Sequence, residues 1–271
     1  ERGARALKSV EASSTGHPPE LVALDLADLA SVHDAAAHVR AATGDRLDVL
    51  VNNAGVMATP KGRTKNGFET QFGTNHLGHA ALTWLLMPAL VGAAHSGSAS
   101  RVVTVSSLAA GQGTIDTDDP HFENRPYNPA RGYGQAKLAN QVFALELDRR
   151  LRAAGQNVIS VAAHPGYTAT DLSGNMAGSY RNPIVVNVLK FGAWVGDTVI
   201  AQSVAIGALP QLYAATSAEV EGGQYIGPDG YRQFRGGPTR VTPLRPARDP
   251  ELGAKLWALT AKLTGVTPDP A

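Results

Sequence analysis

Short apolar runs that alternate with longer amphipathic segments are the feature that most constrains the fold of this chain. Strand-like runs occupy residues 21–24, 47–51, 101–105 and 158–163, and helical patterns fill residues 28–42, 68–90 and 131–154. Strands that alternate with helices of about 10–20 residues are typical of βαβ units, which build a parallel sheet. The sequence therefore predicts an α/β fold with a doubly wound parallel sheet.

Clusters of polar residues and glycines stand directly after the strand-like runs. They are Asp25 and residues 52–55, 106–107 and 164–166. In a doubly wound sheet, ligands bind outside the carboxyl ends of the strands, and glycine lets backbone approach a ligand closely. The sequence therefore predicts a ligand site that is built from these clusters at one edge of the sheet.

The composition excludes several classes of protein. The 271 residues include no cysteine, which excludes disulfide frameworks, zinc ribbons and thiol nucleophiles. With 24 basic and 23 acidic residues, the charge gives no case for a nucleic acid or an anionic membrane as partner. The longest uncharged apolar stretch, residues 80–94, falls short of the ~20 residues that cross a bilayer. We expect a cytoplasmic protein with no transmembrane segment and a single domain over residues 1–271.

A tyrosine and a lysine four residues apart, in the helix predicted over residues 131–154, carry the clearest chemical signal. At that spacing Tyr133 and Lys137 lie on one helix face. An ammonium beside a phenol favours the phenolate and is expected to lower the pKa of Tyr133 from about 10. Tyr133 is then a candidate general acid for a carbonyl or general base for an alcohol. The pair alone leaves open an amphipathic helix with a solvated lysine.

Three further polar groups each have a chemical and a structural interpretation. Ser107, at a strand end, can stabilise charge on a substrate oxygen or merely turn the chain. Asn75 is an unfavourable choice inside an apolar helix, so it indicates either a kink that holds a water or a satisfied buried amide. Residues 52–55 can let backbone approach a flat ring, or form a turn that tolerates left-handed geometry.

Taken in order, these residues resemble the short-chain dehydrogenase/reductase family, and the resemblance covers nearly the whole chain. The matching set also includes Val105 before the two serines and Pro165-Gly166 followed by Thr170. The 26-residue step from Ser107 to Tyr133 resembles the retinol dehydrogenase-like branch. So do two local contexts, Thr74-Asn75-His76-Leu77-Gly78-His79 and Lys137-Leu138-Ala139-Asn140. The resemblance implies a Rossmann-like fold and an NAD(P)-dependent oxidoreductase that interconverts a carbonyl and an alcohol.

The resemblance also implies roles for individual residues. Tyr133 would pass the proton, and Lys137 would bind the nicotinamide ribose and tune Tyr133. Ser107 would position the substrate oxygen, and Asn75 would hold a relay water. By the same resemblance NADP is preferred over NAD. Residues at three strand ends would contact the cofactor, namely Asp25, Leu26, Asn52, Ala54, Gly55, Pro165, Gly166, Thr168 and Thr170.

The sequence departs from the family at two places. Ala136 stands where the family usually has serine, which is an auxiliary position. The strand, glycine-rich turn and first helix that carry a pyrophosphate do not occur before Asp25. Gly111-x-Gly113-x-x-Asp116 is the nearest imitation, but it has aspartate in the third position and no helical pattern after it. We therefore expect the domain to be N-terminally incomplete by about 40 residues.

The remaining segments give weaker signals. His76 and His79 have no third ligand at a recognisable spacing, so we expect helix packing and no metal. No Gly-x-Ser-x-Gly elbow of a serine hydrolase occurs. Residues 172–196 follow the position of the family's substrate lid. Their apolar part is most simply interpreted as a core helix. A lid over a lipophilic substrate is the alternative interpretation. The family resemblance implies a homodimer that pairs through the helices at 68–90 and 131–154.

Two rival functions share parts of this pattern. A non-catalytic binding protein or fragment with impaired cofactor binding is favoured by the missing glycine-rich turn. The full set of Asn75, Ser107, Tyr133 and Lys137 argues against it, because binding alone does not require them. A sugar epimerase or dehydratase shares the Tyr-Lys pair, but the short C-terminal part leaves little room for a separate sugar domain.

Overall fold

A sheet of five strands forms the centre of the part of the chain that the computed structural model describes, which is residues 2–16, 18–94, 98–168 and 202–266. Its strands lie side by side in chain order: β1 (Val49–Asn52), β2 (Ser100–Val105), β3 (Val158–Ala163), β4 (Tyr225–Pro228) and β5 (Pro238–Val241). The pairs from β1 to β4 are parallel, and β5 runs antiparallel to β4. The predicted parallel α/β sheet is confirmed.

Helices connect the strands at the positions that the apolar pattern predicts. Asp28 caps α2 by accepting a hydrogen bond from Ala30 N, and Gly44 ends it in the left-handed conformation. Asn128 caps the long helix α4 in the same way. The α-helices of the described residues are α1 (Arg2–Glu11), α2 (Leu29–Thr43), α3 (Thr70–Ala94), α4 (Pro129–Ala153), α5 (Val204–Gly207), α6 (Leu209–Thr216) and α7 (Pro250–Thr264).

The sheet is covered on both faces because alternate side chains of its strands point in opposite directions. Val102 of β2 joins the cluster that contains residues of α3 and α4. Its neighbour Val103 joins a separate cluster with Val161 and with Ala214 of α6. The doubly wound arrangement thus follows from strands that are apolar on both faces.

One predicted strand is wrong. Residues 21–24 form no strand, and Leu21 and Leu24 are 55% and 42% exposed. A strand needs a neighbour that completes its backbone hydrogen bonds, and none of the described strands pairs with this run. Val49 and Val51, whose side chains point to the same face of β1, are also exposed, at 37% and 42%, and β1 pairs with β2 alone. The described sheet therefore ends on this side in an apolar, unpaired edge.

Helix α3 is the longest apolar helix in the described residues. Its 25 residues are long and apolar enough to cross a membrane by length and composition alone. Most of its apolar window is buried inside the fold, however, against the sheet and α4. Such burial is typical of the core helix of a folded domain.

The C-terminal helix α7 covers part of the face that α3 and α4 share. The Trp257 ring stacks on Phe143 of α4, with the ring centroids 5.7 Å apart, and lies 4.8 Å from the Trp84 ring of α3. The Arg150 guanidinium lies 4.5 Å from the centre of the Trp257 ring. A neighbouring element of the same chain therefore occupies part of the surface that we expected to form a homodimer.

Replacing Trp257 with alanine is expected to lower the free energy of unfolding by about 3–5 kcal/mol, because it leaves a large cavity between three packed helices. Chemical denaturation followed by circular dichroism measures this. Lys262→Ala, at an exposed position of the same helix, is the control and should change stability little. A loss below about 1 kcal/mol for Trp257→Ala would show that α7 is not part of the core.

Candidate active site

The carboxyl ends of β1, β2 and β3 meet at one edge of the sheet. Asn52 pairs with Thr104, and Val105 pairs with Ala163, so the loops after these three strands begin at the same level. The predicted gathering of residues 52–55, 106–107 and 164–166 is therefore confirmed. Tyr133 and Lys137, in the first turns of α4, face the same edge.

Lys137 is buried directly behind the end of β2. Its Nζ donates a hydrogen bond to Val105 O over 2.9 Å, and Ser106 Oγ donates one to Lys137 O over 2.8 Å. Among the described residues no carboxylate forms an ion pair with this ammonium. Burial lowers the pKa of Lys137 to about 8, because a low-polarity environment disfavours the charged form.

Tyr133 lies beside Ser107, which was the expected catalytic serine. The neighbouring Ser107 hydroxyl favours the phenolate, but burial has the larger effect and raises the pKa of Tyr133 above its usual value of 10. The expected lowering of this pKa by Lys137 is therefore wrong for this structure. Lys137 Nζ lies 5.9 Å from the centre of the Tyr133 ring and donates a hydrogen bond to Val105 O.

Asn75 distorts the helix in which it lies, as its unfavourable position predicts. Residues Gly73–Leu77 form a single π-helical turn within α3, a feature that is frequent at functional sites. The His79 ring contacts Asn75 O through Nδ1 over 2.9 Å, which satisfies a carbonyl in the distorted turn. The Asn75 side chain accepts a hydrogen bond from Val56 N and donates one to Val56 O, each over 2.8 Å. The side chain thus fixes the loop after β1.

Gly55 lies where this loop passes closest to the two helices. A β-carbon at this position would lie 2.7 Å from Asn75 Oδ1 and 3.8 Å from Lys137 Nζ. Helix α3, helix α4 and the loop that follows β1 therefore meet at Gly55. Only glycine leaves the backbone room for this close approach. Asn75, Ser107, Tyr133 and Lys137, which the sequence analysis grouped from separate segments, are brought to one place in the fold.

Replacing Gly55 with alanine is expected to push Asn75 from Val56 and to lower stability by about 1–3 kcal/mol through overpacking. Dinucleotide binding should weaken at the same time, because the loop after β1 shifts. Thermal unfolding and a fluorescence titration with NADPH measure both. Gly111→Ala is the matched control, since its β-carbon would meet nothing within 4 Å. Wild-type stability and binding in Gly55→Ala would contradict the close approach described here.

The other expected cofactor residues before and at the end of β1 differ in their exposure to solvent. Asp25 is exposed, and its carboxylate accepts a hydrogen bond from Ala27 N over 2.9 Å. Leu26 is buried against α3, where a β-carbon at Gly78 would collide with its carbonyl oxygen. Asn52 is buried; its Nδ2 donates to Thr83 Oγ1 over 2.8 Å, and its Oδ1 has no hydrogen-bond partner among the described residues.

The segment after β3 is held by side chains that donate hydrogen bonds to the Pro165 carbonyl. Thr168 Oγ1 and Gln202 Nε2 both donate to Pro165 O, over 3.2 and 2.6 Å. Gly166 has a φ of 70°, a conformation that favours glycine. Thr170 and the whole of the expected lid, residues 172–196, lie outside the described residues.

The sequence analysis missed Thr83, and it gave Ser106, which lies in the predicted cluster 106–107, no supporting role. Thr83 holds the amide of Asn52, and Ser106 ties the end of β2 to the backbone of Lys137. The only available signal was that Ser106 stands next to Ser107 at a strand end. His76 and His79 are both buried, and the His76 Nε2 contacts Thr260 Oγ1 over 2.9 Å, so both histidines take part in packing.

Comparison with known proteins agrees with this geometry. The profile of the short chain dehydrogenase family matches residues 1–180. The chain belongs to this family. It is therefore an NAD(P)-dependent oxidoreductase with a Rossmann-like fold, and its similarities place it in the retinol dehydrogenase-like branch.

Individual relatives span most of the chain. Polyprenol dehydrogenase of Mus musculus is 39% identical over 268 residues, which cover 97% of this chain and 73% of the relative. Retinol dehydrogenase 13 of Homo sapiens is 37% identical, with coverage of 98% and 75%. A solved structure from Mycobacterium paratuberculosis is 38% identical with a TM-score of 0.72, and the match covers 98% of this chain and 82% of that one. NADPH-bound carbonyl reductase from chicken fatty liver, 21% identical with a TM-score of 0.54 and coverage of 82% and 79%, shares the fold.

Proposed function

We propose that this protein interconverts a carbonyl and an alcohol by hydride transfer, with Tyr133 as the general acid and base. The observation that carries this proposal is the meeting of Tyr133 and Ser107 at the edge of the sheet, with buried Lys137 next to Gly55 and Asn75. Reduction of a carbonyl requires a proton donor and groups that stabilise charge on the oxygen. Here Tyr133 is the proton donor, and Ser107 and Lys137 supply a second hydroxyl and a cation.

The residues at this edge fit a nicotinamide dinucleotide. Gly55 leaves backbone accessible between β1 and the two helices, Lys137 presents a buried cation, and Asn52 Oδ1 has no partner among the described residues. We propose that Asp25, Leu26, Asn52, Ala54 and Gly55 hold the adenosine half, and that Lys137, Pro165, Gly166, Thr168 and Thr170 hold the nicotinamide half. When bound, this group supplies the hydride for reduction or accepts it in oxidation.

The protein's own groups would handle the proton and the substrate oxygen. In reduction, the Tyr133 hydroxyl donates its proton to the carbonyl oxygen as the hydride arrives at the carbonyl carbon. In oxidation, the phenolate of Tyr133 takes the proton from the alcohol. Ser107 donates a hydrogen bond to the same oxygen. Asn75 holds the loop after β1, and it also holds a water through which the proton of Tyr133 is exchanged with solvent. Because burial raises the pKa of Tyr133, it is protonated at neutral pH, which is the form that reduction requires.

We prefer NADP as the cofactor over NAD. The support is analogy with the retinol dehydrogenase-like branch, and the fold is shared with a carbonyl reductase that was solved with NADPH. Fluorescence titrations of the whole protein with NADPH and NADH test this preference. Tighter binding of NADH would reverse it.

A lipophilic substrate is the second part of the proposal. Its support is that the similar proteins are named as dehydrogenases of polyprenol and of retinol, which are long apolar alcohols. Turnover of long-chain apolar alcohols and of short polar alcohols should be compared at equal concentration. Turnover of polar alcohols and sugars alone would overturn this part of the proposal.

We also propose that the sheet continues beyond β1 into a strand, a glycine-rich turn and a helix that bind the pyrophosphate. The unpaired edge of β1 with exposed Val49 and Val51 supports this. Gly113 serves another purpose, since it packs against the backbone of Gly134 in α4. Hydrogen exchange of the β1 backbone amides that face away from β2 tests this. Fast exchange, as in a strand without a neighbour, would show that β1 is the edge of the sheet and would overturn the proposal.

The rival function, a related protein that binds without turnover, has one observation in its favour: no glycine-rich phosphate-binding turn lies among the described residues. Dinucleotide binding without turnover of any carbonyl, or no binding at all by the whole protein, would favour it. Hydride transfer to a carbonyl would exclude it.

The proposed homodimer must be reconciled with α7. Because Trp257 packs on Trp84 and Phe143, a dimer through α3 and α4 must include α7 in the interface or use the part of this face that α7 leaves open. Light scattering gives the mass in solution, and a monomeric mass at high concentration would exclude the dimer.

A further inference from the structure

His164 is a buried polar residue that neither the proton transfer nor the proposed cofactor contacts use. It follows β3 directly, its backbone N donates to Ile226 O over 2.9 Å, and its side chain is completely buried. Its Nδ1 accepts a hydrogen bond from Gly166 N over 3.2 Å. Burial lowers the pKa of His164 to about 4, so the ring is neutral at physiological pH. Because Nδ1 accepts a hydrogen bond, the single ring proton is on Nε2. Nε2 lies 3.0 Å from Gln233 Oε1, to which it donates that proton.

Neighbouring residues pack closely around the His164 ring. A β-carbon at Gly227 of β4 would collide with Nε2, so glycine is required beside the imidazole. The Tyr225 ring, with its centroid 5.0 Å from that of His164, covers another side. The imidazole is therefore held in one position by two hydrogen bonds and by close packing, which is the condition for a group that orients others.

Gln233 lies in a strained turn between β4 and β5. Arg232 and Gln233 both have positive φ values, of 49° and 60°, although neither is glycine. Such conformations persist only when the surroundings fix them. Here Gln233 is fixed by His164 from the end of β3.

The same turn has further contacts with the segment after β3. Tyr167 N donates to Phe234 O over 2.7 Å, and Gly236 N donates to Gln202 Oε1 over 3.2 Å. Gln202 in turn donates to Pro165 O. A β-carbon at Gly166 would lie 2.5 Å from Phe234 O, so the two segments are in direct contact. The turn and residues 165–167 thus form one connected unit, joined by the side chains of His164 and Gln202 and by a backbone hydrogen bond.

We propose that His164 and Gln233 are positioning residues that hold residues 165–167 in the conformation that receives the nicotinamide half of the dinucleotide. This inference rests on the proposed function of those residues. Its physical basis is that one imidazole fixes the Gly166 amide through Nδ1 and the strained turn through Nε2. Loss of either contact lets the segment move and weakens its fit to the ligand.

Gln233→Gly tests the inference without straining the backbone, because glycine adopts a positive φ freely. It removes the partner of His164 Nε2, and we expect the dissociation constant and the KM for NADPH to rise about fivefold, as one lost hydrogen bond gives. The value of kcat at saturating NADPH should change less than KM does. Arg232→Gly is the matched control, since it relaxes the neighbouring positive φ and leaves His164 untouched, and its NADPH affinity should stay near that of the wild type.

Two variants of His164 separate positioning from folding. In His164→Asn, the amide oxygen can take the place of Nδ1 and accept from Gly166 N, so this variant should bind NADPH better than His164→Ala does. Thermal unfolding reports stability for each variant. Wild-type NADPH affinity in a folded Gln233→Gly, or equal losses in Gln233→Gly and Arg232→Gly, would overturn the inference. Failure of the wild-type protein to bind any dinucleotide would instead overturn the proposed function.

Discussion

Replacing Tyr133 with phenylalanine is expected to lower turnover about 10²- to 10⁴-fold, the contribution that a general acid typically makes. The substitution removes one oxygen atom and keeps the ring in its place beside Ser107 and above Lys137. Dinucleotide affinity and thermal stability should change little, because the hydroxyl does not hold the helix. Steady-state kinetics with an aldehyde substrate and an NADPH titration measure the two quantities separately.

Tyr231→Phe is the matched control for this experiment. The Tyr231 side chain is 76% exposed, so the same chemical change should leave turnover as in the wild type. Turnover in Tyr133→Phe equal to that of the wild type would remove the tyrosine from the mechanism. A loss of turnover that accompanies an equal loss of dinucleotide binding would show that the hydroxyl acts in binding instead.

Replacing Lys137 with methionine is expected to weaken dinucleotide binding about 10- to 100-fold, because hydrogen bonds from a charged donor are worth about 1.5–3 kcal/mol. Turnover at saturating dinucleotide should fall as well, since the buried ammonium is proposed to hold the nicotinamide half in place beside Tyr133. Stability should not fall, because a buried ammonium without a carboxylate partner among the described residues is costly to bury. The Val105 carbonyl keeps a hydrogen bond from Asn140 Nδ2.

The pH dependence gives an independent check on Lys137. Its pKa of about 8 means that the ammonium loses its proton as the pH rises through 8, so dinucleotide affinity should fall over that range in the wild type and not in Lys137→Met. Lys255→Met, an exposed lysine of α7 paired with Glu251, is the control and should bind as the wild type does. Unchanged affinity and rate in Lys137→Met would contradict the role of the buried cation.

The sequence predicts the fold well where the pattern is local and less well where it depends on partners. Helix α2 begins after Asp28 and ends at Gly44 as predicted, because capping residues act on their own neighbours. Residues 21–24 have the apolar pattern of a strand, but they pair with none of the described strands. Pairing is a property of two segments, so a single run of residues cannot establish it.

The site shows the same division. The gathering of Asn75, Ser107, Tyr133 and Lys137 follows from their places at strand ends and on helices that return to the same edge. The pKa of Tyr133 could not be predicted from its spacing to Lys137, because burial raises it and the Lys137 ammonium donates a hydrogen bond to the Val105 carbonyl. The partnership of His164 with Gln233 joins residues 69 positions apart, and no local pattern marks it.

Transfer of deuterium from the reduced cofactor to a substrate tests the central claim most directly. The whole protein is incubated with a long-chain aldehyde and NADPH in which both hydrogens at the nicotinamide C4 are replaced by deuterium, and the alcohol is analysed by mass spectrometry. We predict an alcohol with one deuterium on its carbinol carbon, formed by the wild type and by Tyr231→Phe and lost in Tyr133→Phe. A protein that binds the dinucleotide but places no deuterium in the product, across aldehydes and ketones of different sizes, would contradict the proposed oxidoreductase activity.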